Sequence, residues 1–315
     1  MNGQEFSEAL FREAYLPVLE RDFPDVLPGL SAGVVGTGSE VLGSDDEFSR
    51  DHGWGPCCCR LFLGEDDVRR HGQSIKQRLS RALPATFHGI ELTNRAADQI
   101  PVLSIDQLYA GLTGLPHPPS TMREWIKADE NSLCYARAGR VIYDPRGDLA
   151  SRKAEFVKAY YPEDLWRWRV ASQLWAVWHH GSYNLCGRMT RRGEGLGGLV
   201  GQGHFVEGAM RLTFLLNREY APYWKWLHWG FSRLPRLADR IAPDLDELVA
   251  QSNLAARSEI IGRSCKLILD VLVEEGLLPK REWYNFSGAF EVLKGIEDAQ
   301  VRAAIKEQVP FFFIW

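Results

Sequence analysis

The sequence predicts an α+β fold in two parts: a small mixed sheet with flanking helices over residues 1–148, then a C-terminal helical bundle over residues 149–315. Three observations carry this expectation. Short apolar runs bounded by Gly, Pro and Asp fall only in the first part. Beyond residue 149 strand signals stop, and apolar residues recur at helical spacing through residue 307. The chain of 315 residues, 45% hydrophobic and 25% charged, has a globular composition and enough length for one large or two ordinary domains.

The elements follow in order. Over residues 4–20, Phe6, Leu10, Phe11, Ala14, Val18 and Leu19 share one helical face. RDFPDVLPG (21–29) is a proline-broken connection, and LSAGVVG (30–36) is a short apolar strand running into Gly38-Ser39. The residues through Asp46 are turn-rich, and a second strand is expected to include Asp51 and continue through CCCRLFL (57–63). Residues 65–82 are charged and predict an exposed helix; ATFHGIELT (85–93) predicts a third strand. IDQLYAGLTG (105–114) and TMREWIKAD (121–129) predict short helices joined by the proline-rich GLPHPPS, and GRVIYDPRG (139–147) predicts a strand or hairpin. In the second part, Pro162 opens a helix near its first turn. Trp168, Trp175 and Trp178 form a helical stripe of bundle core, and the glycines of RRGEGLGGLVGQG (191–203) predict a flexible connection between helices.

The bulk properties exclude several classes. A net charge of −4 with no basic tail argues against a dedicated nucleic-acid binder. No run reaches the roughly 18 apolar residues of a membrane span, and the N-terminus lacks a signal core, so a cytoplasmic protein is expected. Cys57, Cys58 and Cys59 alternate faces if on a strand, which predicts buried reduced thiols and no metal site. His179-His180 lacks the H-E-x-x-H spacing of zinc hydrolases, and no Walker or G-x-S-x-G sequence occurs.

The stretch GTGSEVLGSDDEFSRDHGWGP (36–56) joins a Gly-Ser turn to a dense set of carboxylates. Nucleotidyl transfer needs such parts: backbone amides at a turn for the triphosphate, and carboxylates on one strand face for metal ions. Carboxylates at i and i+2 on a strand share a face. Here Asp51 begins Asp-His-Gly-Trp, and Glu91 lies within FHGIELT, where an acid facing an apolar sheet needs a reason.

This pattern resembles the nucleotidyltransferase superfamily related to DNA polymerase β, and more narrowly a bacterial domain family of unknown function within it. That family reads Gly-Ser-x-x-x-Gly, then Ser-x-Asp-His-Asp-Trp-Gly-Pro. AYYPEDLWRW (159–168) and REYAPYWKWL (218–227) resemble two further segments of the same family. The resemblance implies a nucleotidyltransferase-like sheet domain with a helical partner domain, the crevice between them taking the ligand. It implies transfer of a nucleotidyl group from Mg-NTP, ATP foremost, to a small-molecule or protein acceptor. Gly38 and Ser39 would cradle phosphate, Asp51 and Glu91 would act as catalytic metal carboxylates, and Lys225 and Arg211 would meet phosphate charge. The family's second acid is replaced by Gly53. Asp45 or Asp46 would then deputise as metal ligand, or the protein is a catalytically degenerate nucleotide-binding or scaffolding descendant. On residue types alone, Asp45, Asp46 and Glu47 are equally a solvated loop, Asp51 a turn cap, Lys225 a snorkelling side chain and Arg211 a solvated one. The apolar end VPFFFIW (309–315) is expected to insert into the protein's own core or into a subunit interface, the latter giving a homo-oligomer.

Overall fold

The computed structural model describes residues 1–51, 54–92, 95–280 and 285–308. The C-terminal VPFFFIW, His52 and Gly53 lie outside the described residues, as does the side chain of Asp51. The chain divides into two compact units, Met1–Pro119 with Ala128–Tyr160, and Ser120–Lys127 with Tyr161–Trp315.

The first unit is α+β. Its four-stranded sheet has the order β5-β2-β1-β6, with β1 Ser31–Val34, β2 Arg60–Phe62, β5 Val102–Leu103 and β6 Arg140–Tyr143. Strand β1 runs antiparallel to β2 and β6, while β5 runs parallel to β2, so the sheet is mixed. All four residues of β1 are buried, which explains its unbroken apolar run. The N-terminal helix over 3–22 packs Phe6, Leu10, Phe11 and Tyr15 into the core. It widens to π-helix at Phe11–Tyr15, just before Pro17, which has no N–H to give an α-helical ladder. Glu65–Ala82 is a helix with Gly72, Ile75 and Leu79 on its buried face. Helix Asp148–Lys158 also belongs to this unit, its Phe156 ring stacked 4.5 Å from that of Tyr109.

The expected second strand is corrected. It is confined to Arg60–Phe62; Asp51 ends a 3-10 helix, Glu47–Asp51, and Pro56–Cys58 form another. The cause is local: Gly55 has φ 102° and Pro56 lacks a ladder donor, so the chain cannot extend through them. The expected strand over 85–93 is a two-stranded hairpin instead, β3 Thr86–Phe87 and β4 Ile90–Glu91. His88 and Gly89 both have positive φ, 48° and 77°, the geometry of a tight hairpin turn.

The second unit is helical, and no strand occurs among its described residues. Helix Glu163–Ala176 continues into an unusually long π-helix, Val177–Met189, which packs on helix Gly195–Leu216. The glycine-rich run is therefore mostly helix, not a flexible connection. Glycines on both helices allow a close approach: a Cβ on Gly201 would lie 3.2 Å from the His180 carbonyl, and one on Gly181 of the π-helix would lie 2.5 Å from the Phe205 ring. Helices Trp224–Phe231, Ala238–Ala250 and Leu254–Glu274 complete this face of the unit. Trp168 is buried, whereas Trp175 and Trp178 are half-buried and belong to an aromatic column. The Trp175 ring stacks on His179 at 4.4 Å, Trp178 stacks on Tyr183 at 4.8 Å, and the Arg188 guanidinium covers Tyr183 at 4.3 Å. Among the described residues, no helix is long and apolar enough to cross a membrane.

Candidate functional site

Strand β1 delivers the chain into a short loop that only glycine can build. Gly36 has φ 110°, and Gly38 has φ 135° with ψ 160°, a region essentially closed to other residues. Ser39 then opens a one-turn helix, Ser39–Leu42, ended by Gly43 in the left-handed region. The Gly-Ser turn thus lies between a strand end and a helix start, as the motif predicts.

Beneath the loop lies a carboxylate that sequence reasoning missed. Glu40 is only 6% exposed. Its side chain folds back under Gly38, where a Cβ would overlap Oε1. Burial raises its pKa, with the charge of Asp45 acting in the same sense. Its own backbone N–H, the Arg60 guanidinium and the Cys58 thiol oppose the rise.

Asp45 is the second member. Its Oδ2 accepts from the Gly3 backbone N–H at 2.6 Å and from Trp54 Nε1 at 3.3 Å. Its Oδ1 is buried and makes no hydrogen bond. Trp54 is itself held by the Phe6 ring at 4.5 Å and covered by the Arg50 guanidinium at 5.0 Å. Arg60, opposite Gly33 in the sheet, packs its guanidinium on Gly36 and has a buried Nε with no hydrogen-bond partner. The loop therefore has two acids and one arginine at its base, with unused hydrogen-bonding capacity on Asp45 and Arg60. Of the thiols beside it, Cys59 is fully buried, and burial pushes it up to about 12. Among the described residues no disulfide forms.

The remaining sequence candidates separate. Asp46 is exposed and its Oδ1 is committed to the local turn, accepting from Phe48 N, Ser49 N and Ser49 Oγ. Glu91 is exposed on the β3–β4 hairpin, so the expectation that it faces an apolar sheet is corrected; the hairpin pairs with no strand of the four-stranded sheet. Asp51 lies at the end of its 3-10 helix, not on a strand. Lys225 and Arg211 belong to the second unit. Lys225 is exposed, with Nζ 5.2 Å from the Trp226 ring, and Arg211 Nε donates to Glu207 at 2.9 Å. Arg218 bridges to Glu163 at 2.8 Å and lies over Trp166. Among the described residues, no group of three His, Cys, Asp or Glu side chains is placed to hold a metal ion by itself.

Comparison with known proteins adds the following. Residues 125–227 match the family model of a domain of unknown function, DUF4037. That span contains both AYYPEDLWRW and REYAPYWKWL, two of the segments on which the family resemblance rests, while Gly36–Pro56 lies outside it. No curated protein matches the chain. A solved structure of a nucleotidyltransferase-like protein from Exiguobacterium sibiricum 255-15 aligns over 95% of this chain and 86% of that one, with 12% identity and a TM-score of 0.39.

Proposed function

We propose that the protein binds a nucleoside triphosphate, ATP foremost, at the loop 36–39 and transfers its nucleotidyl group to a small-molecule or protein hydroxyl. The observation that supports this reading most is the loop itself: two glycines at positive φ, then a helix start, beside buried Glu40 and half-buried Asp45, whose Oδ1 has no partner. Backbone amides at such a turn are suited to phosphate oxygens, and Arg60 supplies positive charge at the loop's base.

An orphaned buried carboxylate oxygen fits a divalent cation. Of the two deputies, Asp45 is favoured over Asp46, whose Oδ1 is spent on its turn. Asp45, with Asp51 beside it in the motif, would hold Mg²⁺; Glu91 as a further ligand stays part of the proposal. When bound, the ion would supply charge neutralisation on the triphosphate. The chain's own part is to orient the nucleotide on the loop so that the acceptor oxygen meets the α-phosphorus. The P–O bond to pyrophosphate then breaks as the new P–O bond forms, and the acceptor hydroxyl gives up its proton to water.

A second reading, a nucleotide-binding or scaffolding protein without turnover, is favoured by Glu40. Its buried carboxylate folds back against Gly38, so the protein's own anion occupies the base of the loop. Incubation with α-labelled ATP, Mg²⁺ and a panel of hydroxyl acceptors separates the two. Label transfer with pyrophosphate release supports the transferase. Binding without release, with release appearing in Gly53→Asp, supports the degenerate descendant. No binding by either protein refutes both.

A further inference from the structure

We propose that the second unit carries its own binding pocket for a small amphipathic organic acid, one with an apolar or aromatic body and an O–H or N–H donor. The inference does not rest on the nucleotide reading, and all its residues lie in the second unit.

A cavity of about 460 Å³ opens between helices Gly195–Leu216, Trp224–Phe231, Ala238–Ala250 and the start of Leu254–Glu274. A second of about 390 Å³ shares Val206, Met210 and Val249 with it, so the two form one groove. These sizes suit a small ligand. Leu199, Met210 and Leu227 give an apolar lining, and Trp224 and Val249 stand 65% and 67% exposed at its wall. Large apolar side chains left in water beside a cavity are the usual mark of a surface that something covers.

Two polar groups say what covers it. Gln202 lines the cavity while only 6% exposed. Its Nε2 donates to the Leu248 carbonyl at 3.2 Å, which fixes the amide orientation, because a flip would set oxygen against oxygen. Its Oε1 is then left buried without a hydrogen-bond partner. A buried acceptor without a donor is costly until one reaches it, and this one belongs to a residue of the cavity lining. The second group is Arg257. Its Nε is fixed by the Gln251 carbonyl at 2.6 Å, and it has no ion-pair partner among the described residues. Glu207, the acid in the lining, is already paired with Arg211. Asp246, the other acid, lines only the second cavity, so the Arg257 end of the groove is the positive one, and it selects an anion there.

Fluorescent titration of the full chain with 8-anilinonaphthalene-1-sulfonate tests the assignment, since that probe has two aromatic bodies, one N–H and one acid. N-phenyl-1-naphthylamine serves as the partner probe with the same rings and N–H but no acid. Gln202→Met is expected to weaken both probes about fivefold, the value of one hydrogen bond. Arg257→Gln is expected to weaken the sulfonate about fivefold or more and to leave the neutral probe within about twofold. Val249→Trp, at an exposed position, fills the groove and is expected to weaken both about tenfold. Leu196→Ala removes an exposed apolar side chain outside the lining and is expected to change neither. Equal binding by all variants, or equal loss of both probes in Arg257→Gln, overturns the proposal. So does a wild-type protein that binds neither probe and self-associates through this face, with Val249→Trp restoring the monomer. Should Gln202→Met fail to fold, the Val249 and Arg257 variants still decide.

Discussion

Replacing Gly38 by alanine perturbs the proposed triphosphate loop at its tightest point. At φ 135° and ψ 160° the backbone is in a region where any side chain costs about 1–3 kcal/mol. The new Cβ would also overlap Glu40 Oε1, so the buried side chain must leave its rotamer, about 1 kcal/mol more. The two costs can be separated by a double-mutant cycle with Glu40→Ala. In the Glu40→Ala background only the backbone cost remains, so Gly38→Ala is expected to be less destabilising there by about 1 kcal/mol. Differential scanning calorimetry reads this as roughly 2–4 °C of melting temperature per kcal/mol for a domain of 150–250 residues. The same variants, titrated with ATP, should show Gly38→Ala losing affinity, because the amides it re-aims are those proposed to meet phosphate. An unchanged melting temperature together with unchanged ATP affinity refutes both the strain and the loop's role.

Three further outcomes are expected. Gly139→Ala should destabilise more than Gly114→Ala: both glycines have positive φ, 85° and 82°, but a Cβ on Gly139 overlaps the Val34 carbonyl at the β1–β6 edge while one on Gly114 meets open space. Equal urea midpoints would remove the steric argument. His180 is held down to about 4 by burial and by the neighbouring His204 and His179, below its ordinary 6.5. The unfolded chain then binds the extra proton between these values, so stability should fall as pH drops through that window. His180→Gln should flatten the slope, and an unaltered slope would assign it elsewhere. Ser104→Ala should cost about 1 kcal/mol in chemical denaturation, because Ser104 and Gln107 form a reciprocal cap at the start of helix Ile105–Thr113; no loss would mean that the cap is redundant.

Much of the fold is legible in residue pattern. Strand β1 announces itself because it is buried on both faces, and helix Glu65–Ala82 because its exposed face is polar and largely charged. The failures have physical causes. A carboxylate ahead of an apolar run suggested a strand through Asp51, but Gly55 and Pro56 outweigh the pattern by denying the chain extended geometry and a donor. His88-Gly89 folds one apparent strand into a hairpin, which moves Glu91 from a sheet face to solvent. In the helix Gly195–Leu216, glycines that read as breakers are tolerated because the π-helix Val177–Met189 packs against them at backbone distance. The Gly-Ser turn was readable because positive φ demands glycine. The buried role of Glu40 was not, since burial of an acid is set by tertiary neighbours such as Arg60 and Asp45.

The central claim is that a metal-bound triphosphate sits on loop 36–39 above Asp45. Calorimetric titration of ATP into the full chain, with Mg²⁺ and with chelator, tests it most directly when repeated on Asp45→Asn. That variant can still accept from Gly3 and Trp54 while losing the charge at the orphaned oxygen. Binding that requires Mg²⁺ and weakens by about tenfold or more in Asp45→Asn, a charge-assisted contact of roughly 1.5–3 kcal/mol, is the predicted result. ATP binding that ignores both the metal and the substitution, or no binding at all, contradicts it.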